Sequence, residues 1–171
     1  MRFLQTIFVF CLFVLLAGCA SPAKREAMVP SSLSEVALNV QYKDAISVVV
    51  VSGGKTTNPL WVSNISNEDF KASVQSALRA NGYTSTSGKY TLEVVMLSVK
   101  QPLVGTALTV TTQVAYTLKT VDGSTVFQRT ITAPYTAKFS DSLLAVERLR
   151  LANEGSAREN IRKFIEALSE N

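Results

Sequence analysis

The fold is decided by residues 106–135, which read TALTVTTQVAYTLKTVDGSTVFQRTITAPY. In the first half of this segment, apolar side chains alternate with threonine, glutamine and lysine. A period of two is typical of an antiparallel strand with one face in water. Asp122-Gly123 separates this run from a second strand pattern, Thr125 to Tyr135, as expected for a two-residue hairpin turn. The segment therefore predicts a β-hairpin with one buried face.

A helix and a strand are predicted before this hairpin. Ser66 and Asp69 form the S-x-x-D pattern of a capping box, apolar side chains from Phe70 to Leu78 recur at helical spacing, and Asn81-Gly82 is a typical helix stop. Residues 89–100 then alternate again, which predicts a strand.

The two ends of the folded region complete the expected order. Residues 46–51 read ISVVVV and are apolar on both faces, which predicts a strand covered on both sides or one packed at an interface. A long helix is predicted from Ser140-Asp141 to about Leu168, with Gly155 as a bend or close-contact point. The predicted fold is α+β: one antiparallel sheet with two helices packed on one face, in the order β-α-β-β-β-α, over a single domain of residues 35–171.

The composition excludes several classes of chemistry. Apolar residues make up 47% of the 171 residues, so the chain can bury a core, and histidine is absent. Without histidine there is no Ser-His-Asp or Cys-His nucleophilic site and no imidazole metal ligand. The loop SGGKT at residues 52–56 lacks the first glycine of a phosphate-binding loop and is followed by Asn58-Pro59, which prevents the helix such a loop requires.

The charged residues predict no catalytic site either. The carboxylates occupy helix ends, a turn and the last helix, and Glu93 alone sits mid-strand without an evident partner. The basic residues concentrate on the last helix among glutamates at i,i+4 spacing, which favours a solvated, ion-paired face, with docking on an acidic partner or lipid headgroups as the alternative. We expect no enzyme activity, no cofactor, no metal and no nucleic-acid binding.

The N-terminus carries the most specific motif in the chain. Arg2 precedes an apolar run at residues 7–16, too short for the ~20 residues of a spanning helix. The run ends in Leu16-Ala17-Gly18-Cys19, which resembles the bacterial lipobox. That resemblance implies cleavage after residues 1–18, a diacylglyceryl group on the Cys19 sulfur and an acyl chain, such as palmitate, on its new α-amine.

The residues after the lipobox predict how the anchored domain is placed. Residues 19–34 are small, polar and punctuated by proline, which predicts a lipidated cysteine followed by a flexible tether. In the enteric sorting rule, alanine rather than aspartate at position 20 resembles an outer-membrane destination. We therefore expect a lipid-anchored protein on the outer membrane, facing the periplasm.

Two loops supply candidate contact residues. Leu60 and Trp61 lie between the first strand and the first helix; Trp61 is expected either to plug the core or to anchor a partner, since aromatic residues dominate interface hot spots. Leu103 and Val104 form an apolar loop between two strands that would touch a partner or the membrane, or fold back.

The predicted order of elements in a short lipidated chain resembles several small envelope lipoproteins. In topology it is similar to the lipopolysaccharide-assembly lipoprotein, to the auxiliary lipoproteins of lipid-transporting ABC systems, and to the periplasmic domain of the curli-secretion channel lipoprotein. The resemblance implies an accessory or scaffold subunit of an envelope assembly or transport complex, with an envelope protein as partner. The alternative is a periplasmic binder of a lipid or another amphipathic small molecule, which a cavity between sheet and helices would favour.

Overall fold

A computed structural model describes residues 20–30, 38–58 and 62–171. The chain forms, in order, α1 Arg25–Met28, β1 Ile46–Ser52, α2 Asn67–Ala80, β2 Tyr90–Lys100, β3 Leu108–Thr120, β4 Thr125–Ala137, a 3-10 helix Phe139–Asp141 and α3 Ala145–Ser169. The α+β class is confirmed, and the short helix α1 is an addition to the predicted order.

The sheet is mixed rather than wholly antiparallel. Its strands are ordered β1-β2-β3-β4; β1 pairs with β2 in parallel, whereas the β2–β3 and β3–β4 pairs are antiparallel. The prediction of an antiparallel sheet is therefore wrong for β1. Because α2 lies between β1 and β2 in sequence, the chain returns to the end where β1 began, and the two strands run in the same direction.

The valine-rich strand β1 is at the edge of the sheet with one face exposed, so the first of its two predicted placements, covered on both sides, is wrong, and packing at an interface stays a prediction. Val49 is buried in the core, but Val50 remains 51% exposed. Val95 and Leu97 on β2 are also exposed, at 39% and 52%. These three side chains, Val50, Val95 and Leu97, are called the sheet patch below.

Local signals in the sequence place the helix ends. The Ser66 hydroxyl accepts a hydrogen bond from the Asp69 N–H at 3.0 Å, as the capping pattern predicts, and Gly82 follows α2 with a φ of +71°. The last helix begins later than predicted, at Ala145, because Asp141 instead caps the 3-10 turn by accepting the Lys138 N–H at 2.7 Å.

One core cluster joins the sheet to both long helices. The rings of Tyr116 on β3 and Phe164 on α3 stack at a centroid distance of 4.1 Å and an interplanar angle of 3°. Around this pair the cluster contains Leu92, Val94, Val114, Leu118, Phe70, Val74, Leu78, Ile161 and Ile165. The stacked rings hold α3 in a fixed position on β3.

A second, polar set of contacts fixes α3 on the same strands. The buried Asn160 side chain accepts the Tyr116 hydroxyl at 2.8 Å and donates to the Ile131 carbonyl at 3.0 Å, while Ser156 donates to the Ala133 carbonyl at 2.7 Å. Burial raises the pKa of Tyr116 well above its ordinary value, so the phenol stays a hydrogen-bond donor. Satisfied buried polar contacts of this kind specify one helix position.

Candidate functional site

Three loops meet at one end of the molecule, called the loop end here. β1 and β2 run in the same direction, with Ser52 opposite Val95. At the far end of β2, Lys100 lies opposite Thr111 of β3, and Leu108 of β3 lies opposite Ala137 of β4. The β1–α2 loop (residues 53–66), the β2–β3 loop (residues 101–107) and the β4–α3 loop (residues 138–144) therefore leave the sheet at the same end.

Arg148 joins two of these loops. Its guanidinium donates to the carbonyls of Ser142 at 2.7 Å and Leu143 at 3.0 Å, and to the Gly105 carbonyl of the β2–β3 loop at 3.4 Å. It also lies 5.1 Å from the centre of the Phe139 ring. Arg148 is only 4% exposed, so its guanidinium bonds to protein carbonyls rather than to water and holds the β2–β3 and β4–α3 loops side by side.

The joined loops present five large apolar side chains to solvent. The exposed fractions are 99% for Leu103, 87% for Val104, 78% for Leu143, 53% for Phe139 and 44% for Leu144. These five residues are called the apolar tip. Single exposed apolar side chains are common on soluble proteins, whereas a cluster of them marks an interaction surface.

The segment that follows Cys19 in sequence packs on the domain. Over residues 20–30, Ala23 is 2% exposed and Met28 is fully buried. The Lys24 N–H donates to the Glu154 carboxylate at 2.9 Å, and the Ala27 carbonyl accepts from Arg158 at 2.7 Å. The expected flexible tether is therefore corrected for residues 20–30, because their backbone groups are bound by side chains of α3; the remainder of the predicted tether, Cys19 and residues 31–34, lies outside the described residues.

A buried ion cluster on α3 holds in place the Glu154 carboxylate, which accepts the hydrogen bond from the Lys24 N–H. Arg150 pairs with both Glu147 and Glu154, and only 8% of the Arg150 side chain and 3% of the Glu154 side chain are exposed. Hydrogen bonding from Arg150 holds the pKa of Glu147 below its usual value, against the opposing effect of burial, with the Lys24 ammonium adding a smaller effect in the same direction. The i,i+4 spacing of glutamates and basic residues predicted a solvated, ion-paired face on α3. Arg162 forms such pairs with Glu159 and Glu166 on a half-exposed surface, whereas the N-terminal segment engages Glu154 and Arg158 separately.

The direction of the N-terminal segment shows from which end it arrives. Lys24 contacts Glu154 and Ala27 contacts Arg158, so the segment runs along α3 in the same direction as the helix itself. Residues before Lys24 therefore extend toward the start of α3. The Ala23 N–H also donates to the Asn64 carbonyl of the β1–α2 loop at 3.2 Å, and Ala20 is 6% exposed. The chain enters the described fold at the loop end.

A groove of about 500 Å³ lies beside the loop end. β2 continues past the last residue of β1, and the β1–α2 loop faces the extra residues of β2 across this groove. Its lining combines apolar side chains, amides and one cation, without a carboxylate: Gly53, Lys55, Asn58, Val62, Asn64, Ile65, Met96, Leu97, Ser98, Val99 and Gln101. The arrangement fits an extended or amphipathic occupant rather than acid–base chemistry.

Glu93 has a partner that the sequence did not reveal. Its carboxylate accepts from the Lys119 ammonium at 2.7 Å across the β2–β3 pair, and 44% of the side chain is exposed. Within the described ranges, no group of three or more acidic, cysteine or histidine side chains is positioned to hold a metal ion. None of the helices described is both long and apolar enough to cross a bilayer.

The predicted site residues divide into two groups. Cys19, Leu60 and Trp61 lie outside the described residues. Leu103 and Val104 are exposed at the apolar tip, and their contact with a partner stays a prediction. The role of Arg148 in joining two loops could not be predicted from the sequence, because its carbonyl partner Gly105 lies 43 positions away and carries no side-chain signal.

Comparisons with known proteins identify the fold. No family model matches the sequence, and no curated protein sequence is similar to it. A protein of the DUF330 family from Xanthomonas campestris has a similar structure, with a TM-score of 0.56 and 14% identity over 79% of this chain and 92% of that one.

Two of the similar structures carry a lipoprotein description. For a minor lipoprotein from Acinetobacter baumannii, the TM-score is 0.50 at 15% identity, covering 75% of this chain and 92% of that one. For a candidate lipoprotein from Caulobacter crescentus, the TM-score is 0.51 at 17% identity, covering 73% of this chain and 88% of that one. The fold is one that bacterial lipoproteins use. At these identities the likeness concerns the fold alone.

Proposed function

We propose that this protein is a lipid-anchored accessory subunit of a cell-envelope assembly or transport complex, held to the outer membrane through Cys19 and facing the periplasm. The lipobox Leu16 to Cys19 supports the anchor, and the fold shared with bacterial lipoproteins is consistent with it. The observation that carries the proposal is the packed segment at residues 20–30. It begins one residue after Cys19, so an anchored domain is held directly at the membrane.

The sheet patch is the proposed surface for a protein partner. Val50, Val95 and Leu97 are exposed together at the edge of the sheet formed by β1 and β2. A partner that covers them would explain why the valine run of β1 is apolar on both faces. Apolar side chains at the centre of an interface contribute most of its affinity when a partner excludes water from them.

The proposed role is non-enzymatic. Glu93, the carboxylate that an acid–base mechanism would most readily use, is half-buried and ion-paired with Lys119. A catalytic carboxyl group is usually buried in a cleft with a second titratable group beside it. Among the described residues, those that line the groove include no carboxylate.

The second candidate function is binding of a lipid or another amphipathic molecule, and the groove favours it. The combination of Val62, Ile65 and Met96 with the Lys55 ammonium would suit an apolar chain with an anionic head. However, the groove lies beside the loop end rather than between sheet and helices, where the core is filled by the Tyr116–Phe164 stack. We therefore rank it second.

Purification of the full-length lipidated protein from envelopes in mild detergent distinguishes the two functions. We expect an envelope protein to co-purify in stoichiometric amount and to be lost from a Val95→Lys variant, since the charge would be desolvated in the interface. Val121→Lys is the matched control, because Val121 is an exposed valine in the β3–β4 turn, at the opposite end from the loops. A monomer that carries additional lipid and no protein would favour the binding function instead.

A further inference from the structure

We propose that the apolar tip contacts the surface of the bilayer in which the protein is anchored, so that the domain stands on the membrane on its loop end. The inference rests on the proposed lipid anchor at Cys19 and adds the orientation of the domain. It assigns Leu103, Val104, Phe139, Leu143 and Leu144 to the interfacial region of the bilayer.

The position of the anchor is the first argument. Between Lys24 and Ala20 the chain can span at most about 13 Å. The stretch of α3 from Glu154 back to Ala145 is about 14 Å long. Because the segment runs along α3 toward the start of the helix, the residues before Lys24 can reach its first turn, and the bond from the Ala23 N–H to the Asn64 carbonyl places them at the loop end. Cys19 is bonded to Ala20, so acyl chains on Cys19 would enter the bilayer at the loop end, which also carries the apolar tip.

The chemistry of the three loops is the second argument. In sequence, residues 53–66, 101–107 and 138–144 contain one carboxylate, Asp141, whose oxygen accepts the Lys138 N–H. Within these ranges the exposed lysines are Lys55 and Lys138, and neither forms an ion pair with a described residue. Apolar side chains edged by unpaired lysines match the boundary between acyl chains and anionic headgroups.

The rigidity of the tip is the third argument. Flexible loops would fold their leucines back onto the domain, whereas Arg148 ties Leu143 to Gly105 through their carbonyl oxygens. Its guanidinium also lies over the Phe139 ring, which keeps that ring at the surface. The apolar side chains are thus held outward by buried contacts, as a preformed binding surface requires.

A fluorophore at the tip tests the proposal. Cys11 is lost with the signal peptide and the Cys19 sulfur is alkylated, so an introduced cysteine is the only free thiol in the lipidated protein. Leu103→Cys is labelled with a polarity-sensitive dye, and the full-length protein is reconstituted into vesicles of phosphatidylethanolamine and phosphatidylglycerol. Val121→Cys is the matched control, since Val121 is 91% and Leu103 99% exposed at opposite ends of the molecule.

We expect the dye at position 103 to emit at shorter wavelength in vesicles and to be quenched by a nitroxide attached to the lipid, while the dye at position 121 stays accessible to a water-soluble quencher. If the dyes at both positions are equally exposed to water in protein that floats with the vesicles, the proposed membrane contact is wrong although the anchor is present. The tip would then be free for a protein partner. Protein that does not float with the vesicles would overturn the anchor and this inference with it.

Discussion

At the scale of single residues, Gly155 shows how a close approach between elements depends on one missing methyl group. A Cβ atom at this position would lie 2.2 to 2.5 Å from three ring atoms of Tyr135 on β4. The neighbouring Ser156 and Asn160 bond to the strands from the same face of α3. Glycine therefore lets the helix backbone pack directly on a tyrosine ring, which confirms the predicted close-contact point.

Replacing Gly155 by alanine is expected to destabilise the domain. The change gains about 1 kcal/mol of helix propensity, but overpacking against a ring of the sheet costs about 1–3 kcal/mol. We expect a net loss in the free energy of unfolding, measured by urea denaturation of the non-lipidated chain. In a Tyr135→Ala background the ring is absent, so the same change should be neutral or stabilising. A stabilised Gly155→Ala single variant would show that the ring does not restrict this position.

Whether a contact could be predicted from the sequence depended on how far apart in the chain its two residues lie. The Ser66 cap and the Gly82 helix stop were correct, because each depends on neighbours within a few positions. The bonds from Arg148 to Gly105 and from Glu154 to Lys24 span 43 and 130 positions and end on backbone atoms. Because every residue carries a backbone carbonyl, and nearly every residue a backbone N–H, no pattern of residue types in the sequence could indicate these partners.

At the scale of elements, the N-terminal segment is the largest departure from the sequence prediction. Residues 20–30 have the polar, proline-punctuated composition of a linker, yet Met28 is fully buried and the backbone is bound to α3. The valine run of β1 deviates for a related reason. Its pattern specifies two apolar faces, but whether the second face meets a helix or a partner depends on the sheet order, which is a long-range property.

Removing the acceptor for this segment is expected to release it. In a Glu154→Ala variant the Lys24 N–H loses its partner, whereas Arg150 keeps Glu147. We expect trypsin to cleave after Lys24 and Arg25 faster than in the wild-type chain, because proteolysis requires local opening of the backbone. The measurement is a time course of intact masses.

Glu170→Ala is the matched control for this experiment, since Glu170 is exposed at the end of the same helix. Its cleavage rate should equal that of the wild-type chain. Equal rates for the Glu154→Ala variant and the wild type would contradict the clamp, and would restore the flexible tether as the better description of these residues.

At the scale of the whole molecule, the proposed anchor and the apolar tip lie at the loop end, and the sheet patch is left available to a partner. The alternating patterns of β2, β3 and β4 predicted most of the α+β fold, because each strand has one buried face. They could not predict the parallel pairing of β1, the groove, or the joining of the Leu103–Val104 loop to the β4–α3 loop. Those features depend on which loops come together, and the comparisons identify the fold without assigning a role to any of them.

The central claim, anchoring through Cys19, is tested most directly by the intact mass of the protein isolated from cell envelopes. We expect a mature chain that begins at Cys19 and carries a diacylglyceryl group and an N-linked acyl chain. A Cys19→Ser variant should remain as the uncleaved, unacylated precursor, whereas Cys11→Ser, which changes only the signal peptide, should mature as the wild type does. A mature N-terminus at any other residue, or acylation that persists in the Cys19→Ser variant, would contradict the account.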